Sequence, residues 1–165
     1  MNFVSFASGS SGNCSLVCAG DPLLLIDAGI SCRRIEQSLR TLGRTLGDLT
    51  AVFITHEHAD HIKGVGVVAR KLDIPVYANA ATWEAMSAKI GAIPEKHRIV
   101  IGRDDFFIGD LLVTPIPLVH DAADPTGYSV CCKDRKVCVI TDTGKVSKAM
   151  ISQAAGAQVV LLESN

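Results

Sequence analysis

The stretch Thr-His-Glu-His-Ala-Asp-His, residues 55–61, contains three of the five histidines in this chain. It follows an apolar strand predicted at 51–55, so its side chains stand at the end of a buried and rigid element. His56 and His58 are two positions apart, and in an extended chain both imidazoles then point to the same side. The spacing therefore predicts that His56 and His58 share one metal ion.

Asp60 and His61 carry the pattern into the turn before the next predicted helix, where they can reach a second ion. A mixture of imidazole and carboxylate ligands suits zinc, iron or manganese, and it does not suit calcium. Glu57 lies between the two histidines and is expected to point the other way, either as an exposed residue or as one that supports the ligands from behind. The spacing also differs from the helical H-E-x-x-H pattern of zinc proteases.

Two later residues occupy equivalent positions, each where an apolar run gives way to a loop. His120 follows the run 111–119, and Asp142 follows the run 137–141. Either residue alone is typical of an exposed loop or a turn, but together with the first cluster they complete a metal-binding set. Asp27 ends another apolar run, and it fits better as a hydrogen-bond partner that orients a histidine than as a ligand. The predicted metal ligands, of which Asp60 is also the predicted catalytic residue, are His56, His58, Asp60, His61, His120 and Asp142.

Hydrophobic patterning predicts strands first and then an alternation of strands and helices. Strands 51–54 and 137–140 are apolar without alternation, which is typical of strands buried on both faces. Helices or a second sheet must then cover them, so the sequence predicts a layered α/β architecture. Helices, with Ser31 and Asn79 as caps of the first and third, are predicted at 31–42, 61–72, 80–90 and 147–155. Strands are predicted at 2–6, 15–18, 23–27, 51–55, 75–77, 98–101, 111–117, 127–132, 136–141 and 158–162.

The composition bounds the classes of protein to consider. Hydrophobic residues make up 48% and charged residues 20% of the chain, and the net charge is -1. No overall positive field favours nucleic acid, so binding of a polyanion must depend on a local patch or on metal ions. No apolar run reaches the roughly 18 residues of a membrane span, and the first residues lack the basic start of a signal peptide, so a cytoplasmic location is expected. The six cysteines form no C-x-x-C pair and are expected to be small buried hydrophobic residues.

The order of the metal-binding motifs resembles the metallo-β-lactamase superfamily, in which H-x-H-x-D-H is followed by a later histidine and a later aspartate. Longer stretches are similar to the bacterial YycJ/WalJ/VicX-type group of that superfamily, and the similarity covers nearly the whole chain. These stretches are residues 7–13, 24–29, 55–64, 74–79, 82–83, 120–123, 141–144 and 163–165.

The resemblance implies a four-layer αββα sandwich with two divalent metal ions, for which zinc is expected first and manganese or iron are alternatives. It also implies hydrolysis of phosphodiester bonds, with exonuclease action on DNA. In such a centre Asp142 would bridge the two ions, and Asp60 would orient the attacking hydroxide. Because the family continues past the Glu-Ser-Asn motif with a further histidine ligand, residues 1–165 are expected to be one domain that is incomplete at its C-terminus. An open apolar edge is then expected at 158–162.

Several alternatives stay open at this level. The same fold also supports thioesterases of the glyoxalase II type and lactamases, and an incomplete domain could be an inactive binding module. Residues 8–13, rich in glycine and serine, fit either a hairpin turn or a cradle of backbone N–H groups for a phosphate. The choice between DNA and RNA, the strand polarity and the oligomeric state are also left open.

Overall fold

The computed structural model describes residues 1–164, which form two mixed β-sheets with helices packed on them. Asn165, the last residue of the Glu-Ser-Asn motif, lies outside the described residues. The first sheet contains β1 (Asn2–Ala7), β2 (Cys14–Cys18), β3 (Leu23–Ile26), β4 (Leu49–Phe53), β5 (Val76–Asn79) and β6 (Arg98–Ile101). The second contains β7 (Phe106–Ile108), β8 (Leu111–Pro117), β9 (Thr126–Cys132), β10 (Arg135–Ile140) and β11 (Val159–Leu162). The helices are α1 (Cys32–Thr41), α2 (Ala59–Ile62), α3 (Val65–Leu72), α4 (Ala80–Ile90) and α5 (Lys148–Ala154).

The pairing of the strands decides where their ends lie. The first sheet has the order β1-β2-β3-β4-β5-β6, and β3 to β6 run parallel to one another. The second sheet has the order β11-β10-β9-β8-β7. Both β8 and β10 run antiparallel to β9, which lies between them. The carboxyl ends of β8 and β10 therefore lie at the same edge of the second sheet.

Buried apolar clusters show that the molecule has four layers. The first cluster packs α1, α3 and α4 on one face of the first sheet and includes Leu39 and Val68. The second cluster lies between the two sheets, around Tyr128. The third packs α5 against the outer face of the second sheet through Met150. The predicted αββα sandwich is confirmed by this arrangement.

The central strand β4 is buried on both faces, as its unbroken apolar run predicts. Val52 packs toward the helices, whereas Phe53 packs between the sheets. Phe53 stacks on Tyr77 at a ring-centroid distance of 4.7 Å and meets Tyr128 edge-on at 5.2 Å. Burial of each such side chain contributes roughly 1.5–3 kcal/mol, so β4 is a firm base for the residues that follow it.

The single helix predicted at 61–72 is wrong, because the chain forms α2 and α3 with a break at Gly64. The Gly64 N–H donates a hydrogen bond to the Ala28 carbonyl at 2.7 Å. A Cβ at this position would lie 2.2 Å from the Ile30 carbonyl oxygen. The break exists because the loop after β3 packs directly on the backbone between the two helices. Local helix propensity cannot predict this contact, because it depends on a distant segment.

Other local predictions are closer to the structure. Ser31 Oγ accepts the Arg34 N–H at 3.3 Å, and Asn79 Oδ1 accepts the Thr82 N–H at 2.8 Å, so the predicted caps of α1 and α4 are confirmed. The strand predicted at 51–55 begins and ends two residues earlier, as β4. The three-residue strand β7 is not predicted, because so short a segment shows no period.

The edge strand β11 exposes an apolar face, as expected from the sequence. Val159, Val160 and Leu162 are 36%, 42% and 53% exposed, and the neighbouring Val146 and Ile151 are exposed as well. Within residues 1–164, the second sheet is therefore uncovered on this side. No helix in the same range combines the length and the hydropathy needed to cross a membrane.

Tyr128→Phe tests a polar link between the two sheets. The Tyr128 hydroxyl donates a 2.6 Å hydrogen bond to the Ile54 carbonyl, and its side chain is fully buried. The variant leaves that buried acceptor without its donor, so we expect the free energy of unfolding to fall by about 1–3 kcal/mol in urea denaturation. Tyr77→Phe is the control, because the Tyr77 hydroxyl makes no hydrogen bond within residues 1–164. Equal losses in the two variants would contradict the importance of the link.

Candidate metal centre

The predicted ligands meet at one end of the sandwich, where strands of both sheets end. In the first sheet, Asp27 follows β3, and residues 55–61 come shortly after β4. In the second sheet, His120 follows β8, and Asp142 follows β10. Because each pair of strands runs in one direction, four segments from distant parts of the chain converge on this end.

The imidazoles of His56, His58 and His120 form the first group of potential ligands. His56 Nε2 lies 3.1 Å from His58 Nδ1, and His120 Nε2 lies 3.3 Å from the same His58 atom. All three ligand atoms lie within 4.8 Å of one another. Nitrogens at about 2.0–2.1 Å from a tetrahedral zinc ion lie about 3.4 Å apart. The spacing of this group fits a zinc ion held by three histidines.

His56, His61 and Asp142 form a second group, again with all ligand atoms within 4.8 Å of one another. Asp142 Oδ2 lies 2.8 Å from His61 Nε2 and 3.7 Å from His56 Nε2. This carboxylate is therefore near His56, the residue that both groups share, as expected for a residue that could bridge two ions. Asp60 Oδ2 lies 3.6 Å from His61 Nε2, but within residues 1–164 Asp60 belongs to neither of the two compact groups.

Behind the ligands, Asp27 and Thr55 form a buried hydrogen-bond network. Asp27 Oδ1 accepts the Thr55 N–H at 2.9 Å, and Asp27 Oδ2 accepts the Thr55 hydroxyl and His61 Nδ1–H, each at 2.8 Å. The Thr55 hydroxyl has a single proton, so it accepts from His56 Nδ1–H at 3.0 Å. In both histidines Nδ1 therefore carries a proton, and Nε2 is turned toward the site. Asp27 thus contacts a histidine in the way expected from the sequence.

The two best-buried histidines differ in their proton affinity. Burial lowers the pKa of His56 to about 2, and the neighbouring imidazoles act in the same direction. Burial also acts to lower the pKa of His61, but nearby carboxylates, above all Asp27, raise it to about 9. The charges around His61 therefore favour a cation at this side of the site, whereas His56 is neutral with a lone pair available.

Asn13 is a site residue that the sequence does not identify. Asn13 Nδ2 donates a hydrogen bond to Asp60 Oδ2 at 3.2 Å and lies 2.9 Å from His61 Nε2. Its backbone N–H donates to the Asp60 carbonyl at 2.7 Å. Its place at the end of the Gly/Ser-rich segment 8–13 predicts a loop, and the resemblance of residues 7–13 to the family assigns this residue no contact.

The same loop uses several of its N–H groups internally. The Gly9 N–H donates to Asn13 Oδ1, and the Gly12 N–H donates to the Gly9 carbonyl, both at 2.9 Å. Gly12 has a φ of 144°, which favours glycine. These bonds favour the interpretation of residues 8–13 as a turn over that of a phosphate cradle.

Two of the four non-glycine residues with positive φ among residues 1–164 lie at this end of the molecule. Asp27 and Asp142 have φ values of 60° and 52°, in the left-handed region that few residues other than glycine adopt. Gly29 allows the loop after β3 to approach the next ligand segment, since a Cβ there would lie 1.5 Å from the Asp60 carbonyl oxygen. Such conformations persist only where the surrounding structure holds them, and they cluster at functional sites.

Glu57 belongs to neither metal group within residues 1–164, and it is not exposed. Its side chain is buried, and Oε1 accepts the Ala123 N–H at 2.9 Å in the loop that follows His120. The expectation of an exposed residue is therefore wrong, because the loop from the second sheet covers this side of the segment. The other expectation, that Glu57 supports the ligands from behind, agrees with this contact.

The remaining histidine and the cysteines lie outside the two groups. His97 Nε2 contacts Asp73 Oδ1 at 2.6 Å in the turn before β6. Cys14, Cys32 and Cys138 are buried, the other cysteines are partly buried, and all six are free thiols. None of them joins a metal group within residues 1–164, and the prediction that they are buried is confirmed for Cys14, Cys32 and Cys138.

Comparisons with known proteins identify the family. The model of the metallo-beta-lactamase superfamily matches residues 7–151. Over its whole length the chain is 42% identical to exodeoxyribonuclease YycJ of Bacillus anthracis and covers 63% of that protein. It is 40% identical to exodeoxyribonuclease WalJ of Streptococcus pneumoniae, over 96% of this chain and 60% of that protein. The chain therefore spans less than two thirds of the length of these relatives.

A solved structure shows the same fold at lower identity. Zinc-bound PqqB from Methylobacterium extorquens superposes with a TM-score of 0.74 and 17% sequence identity, over 92% of this chain and 59% of PqqB. At this identity the likeness shows the fold alone.

Thr55→Val tests the network behind the ligands. The change keeps the shape of the side chain and removes the hydroxyl that contacts both Asp27 and His56. We expect the affinity for zinc, measured by competition with a chromophoric chelator, to fall about 10–100-fold, the usual effect of losing a partner that orients a ligand. Thr55→Ser keeps the hydroxyl and should bind zinc nearly as the wild type does. If both variants weaken binding equally, the effect comes from packing and not from the hydroxyl.

Proposed function

Because the chain belongs to the metallo-β-lactamase superfamily, we propose that it carries the metal centre of a metal-dependent hydrolase that acts on DNA as an exonuclease. The observation that carries this proposal is the pair of adjacent ligand groups, with Asp142 between His56 and His61. Two neighbouring divalent ions are a common device of enzymes that cleave phosphodiester bonds. The two relatives that match nearly the whole chain are named exodeoxyribonucleases, which supports DNA as the substrate.

The proposed ligands would divide between two ions, with the Asp142 carboxylate within reach of both His56 and His61. Zinc is the expected metal because imidazole nitrogens predominate among the ligands, and manganese or iron are the alternatives. When bound, such a pair lowers the pKa of a bridging water and neutralises charge on phosphate oxygens. The first ion would be held by His56, His58 and His120, and the second by Asp60, His61 and Asp142.

Asp60 is the residue that we propose to orient the attacking water. Its carboxylate lies beside His61, and the hydrogen bond from Asn13 Nδ2 directs it. The Asp60 side chain is 31% exposed, whereas that of His61 is fully buried. A carboxylate that is held on one side and open on the other can accept a hydrogen bond from water in the site.

The net charge of the chain bears on how it would bind DNA. A net charge of -1 provides no general attraction for DNA. Substrate binding should therefore also depend on metal. We also propose a cytoplasmic location, which agrees with six free thiols, since a reducing compartment keeps cysteines in this form.

Labelled single-stranded DNA tests the proposed activity. With zinc or manganese, a substrate labelled at its 5′ or 3′ end should be shortened from one end, and a chelator should abolish the reaction until metal is restored. RNA and a glutathione thioester, assayed in parallel, distinguish a DNA exonuclease from other hydrolases of this fold. Turnover of the thioester with intact DNA would overturn the nuclease proposal.

Asp60→Ala is expected to lower kcat on single-stranded DNA by roughly 10²–10⁴-fold with saturating zinc or manganese. KM should change much less, because the lost interaction acts mainly in the transition state. Asp121→Ala is the matched control, since Asp121 is an exposed carboxylate beside the ligand His120. A near-normal Asp60→Ala enzyme, or equal losses in the two variants, would contradict the role of Asp60.

A further inference from the structure

Glu57 lies between two proposed ligands, and within residues 1–164 it belongs to neither metal group. His56 and His58 face the first metal group, whereas the Glu57 carboxylate faces the loop that carries His120. Oε1 accepts the Ala123 N–H at 2.9 Å. One short segment therefore contacts the site through its histidines and the loop of the third histidine through the residue between them.

Glu57 is buried with only one of its two carboxylate oxygens bonded among residues 1–164. The residue is 8% exposed, and Oε2 has no hydrogen-bond partner among residues 1–164. The Lys89 ammonium donates to the backbone carbonyl of Glu57 at 3.2 Å and not to its carboxylate. A buried carboxylate with one neutral donor loses more in hydration than a single hydrogen bond contributes. A side chain that lowers stability at this position points to a role in the site.

His120 lies in a loop that is held on both sides. Before it, the Gly144 N–H donates to the Val119 carbonyl at 2.8 Å, which ties the loop to the segment after β10. After it, Glu57 holds the N–H of Ala123. These two contacts restrict the backbone on either side of the histidine.

The next contacts along the loop are farther from the ligand. The Asp124 carbonyl accepts from Asn79 Nδ2 at 2.5 Å, and the Asp124 carboxylate pairs with Arg103. The Arg103 side chain is 44% exposed, and ion pairs this open contribute little. Apart from the bond within the loop from the Ala122 N–H to the His120 carbonyl, Glu57 is therefore the nearest downstream contact of His120 among residues 1–164.

From this placement we propose that Glu57 is a positioning residue, which sets His120 Nε2 in the first metal group by holding the backbone at Ala123. The inference rests on the metal centre of the proposed function, and it concerns the placement of a ligand and not the chemistry on the substrate. Because Glu57 is bonded between His56 and His58, one segment then determines the positions of all three histidines.

Two substitutions of Glu57 separate this role from a general effect of charge. Glu57→Ala removes the acceptor, so we expect zinc affinity at the first group to fall about 10–100-fold. Chelator competition measures the affinity, and the absorption spectrum of bound cobalt should change with the ligand geometry. Glu57→Gln keeps an acceptor oxygen and should bind zinc like the wild type. Glu84→Ala, which removes an exposed carboxylate from α4, is the matched control and should have no effect.

Coupling to His120 supplies a measurement that a merely structural role would not change. If Glu57 acts through His120, the double variant Glu57→Ala/His120→Ala should bind zinc no more weakly than His120→Ala alone. Additive losses would overturn the proposal, as would wild-type affinity in Glu57→Ala or equal losses in Glu57→Ala and Glu57→Gln. The metal-free Glu57→Ala protein should also be at least as stable as the wild type, so a variant that fails to fold would count against the proposal.

The same measurements keep the two proposals apart. Zinc binding by the wild type without cleavage of DNA would remove the nuclease proposal and leave the role of Glu57 in place. Cleavage of DNA by the wild type together with unchanged zinc binding in Glu57→Ala would support the nuclease proposal and overturn the role of Glu57.

Discussion

The buried carboxylate of Asp27 is the interaction on which the rest of the site depends. It accepts the backbone and the hydroxyl of Thr55 and the Nδ1–H of His61, so it joins the ends of two adjacent parallel strands. Inside a protein such a network is strong when all of its members are satisfied, and it then specifies one arrangement. Through Thr55 it also reaches His56. The direction in which the Nε2 atoms of both histidines point is therefore set by the fold before any metal binds.

The metal centre is also a junction between the two sheets. His56 and His58 come from the first sheet and His120 from the second, and an ion shared by them would tie the sheets together at this end. The sheets already meet there through hydrogen bonds from the Thr126 N–H to the Thr55 carbonyl and from the Tyr128 hydroxyl to the Ile54 carbonyl. Because a ligand that binds the folded state stabilises it, metal occupancy and the integrity of the sandwich are linked.

Charge is distributed unevenly across this junction. The first group consists of imidazoles, and burial keeps His56 neutral. Around His61 three aspartates converge and raise its pKa to about 9. The aspartates around His61 thus attract a cation, and the neutral imidazole of His56 offers a lone pair. A chain with almost no net charge can in this way concentrate positive charge at one point when metal is present.

The sequence by itself determined the kinds of side chain at the candidate metal centre and their places at the ends of apolar strands. The spacing of His56 and His58, the buried run before them and the caps at Ser31 and Asn79 are local patterns with a direct physical meaning. Only the tertiary structure decided that the helix breaks at Gly64, that Asn13 contacts Asp60, and that the loop after His120 buries Glu57. Each of these depends on a contact between segments far apart in the chain. Local periodicity and propensity do not predict such contacts, because the distant segments come together only when the layers pack.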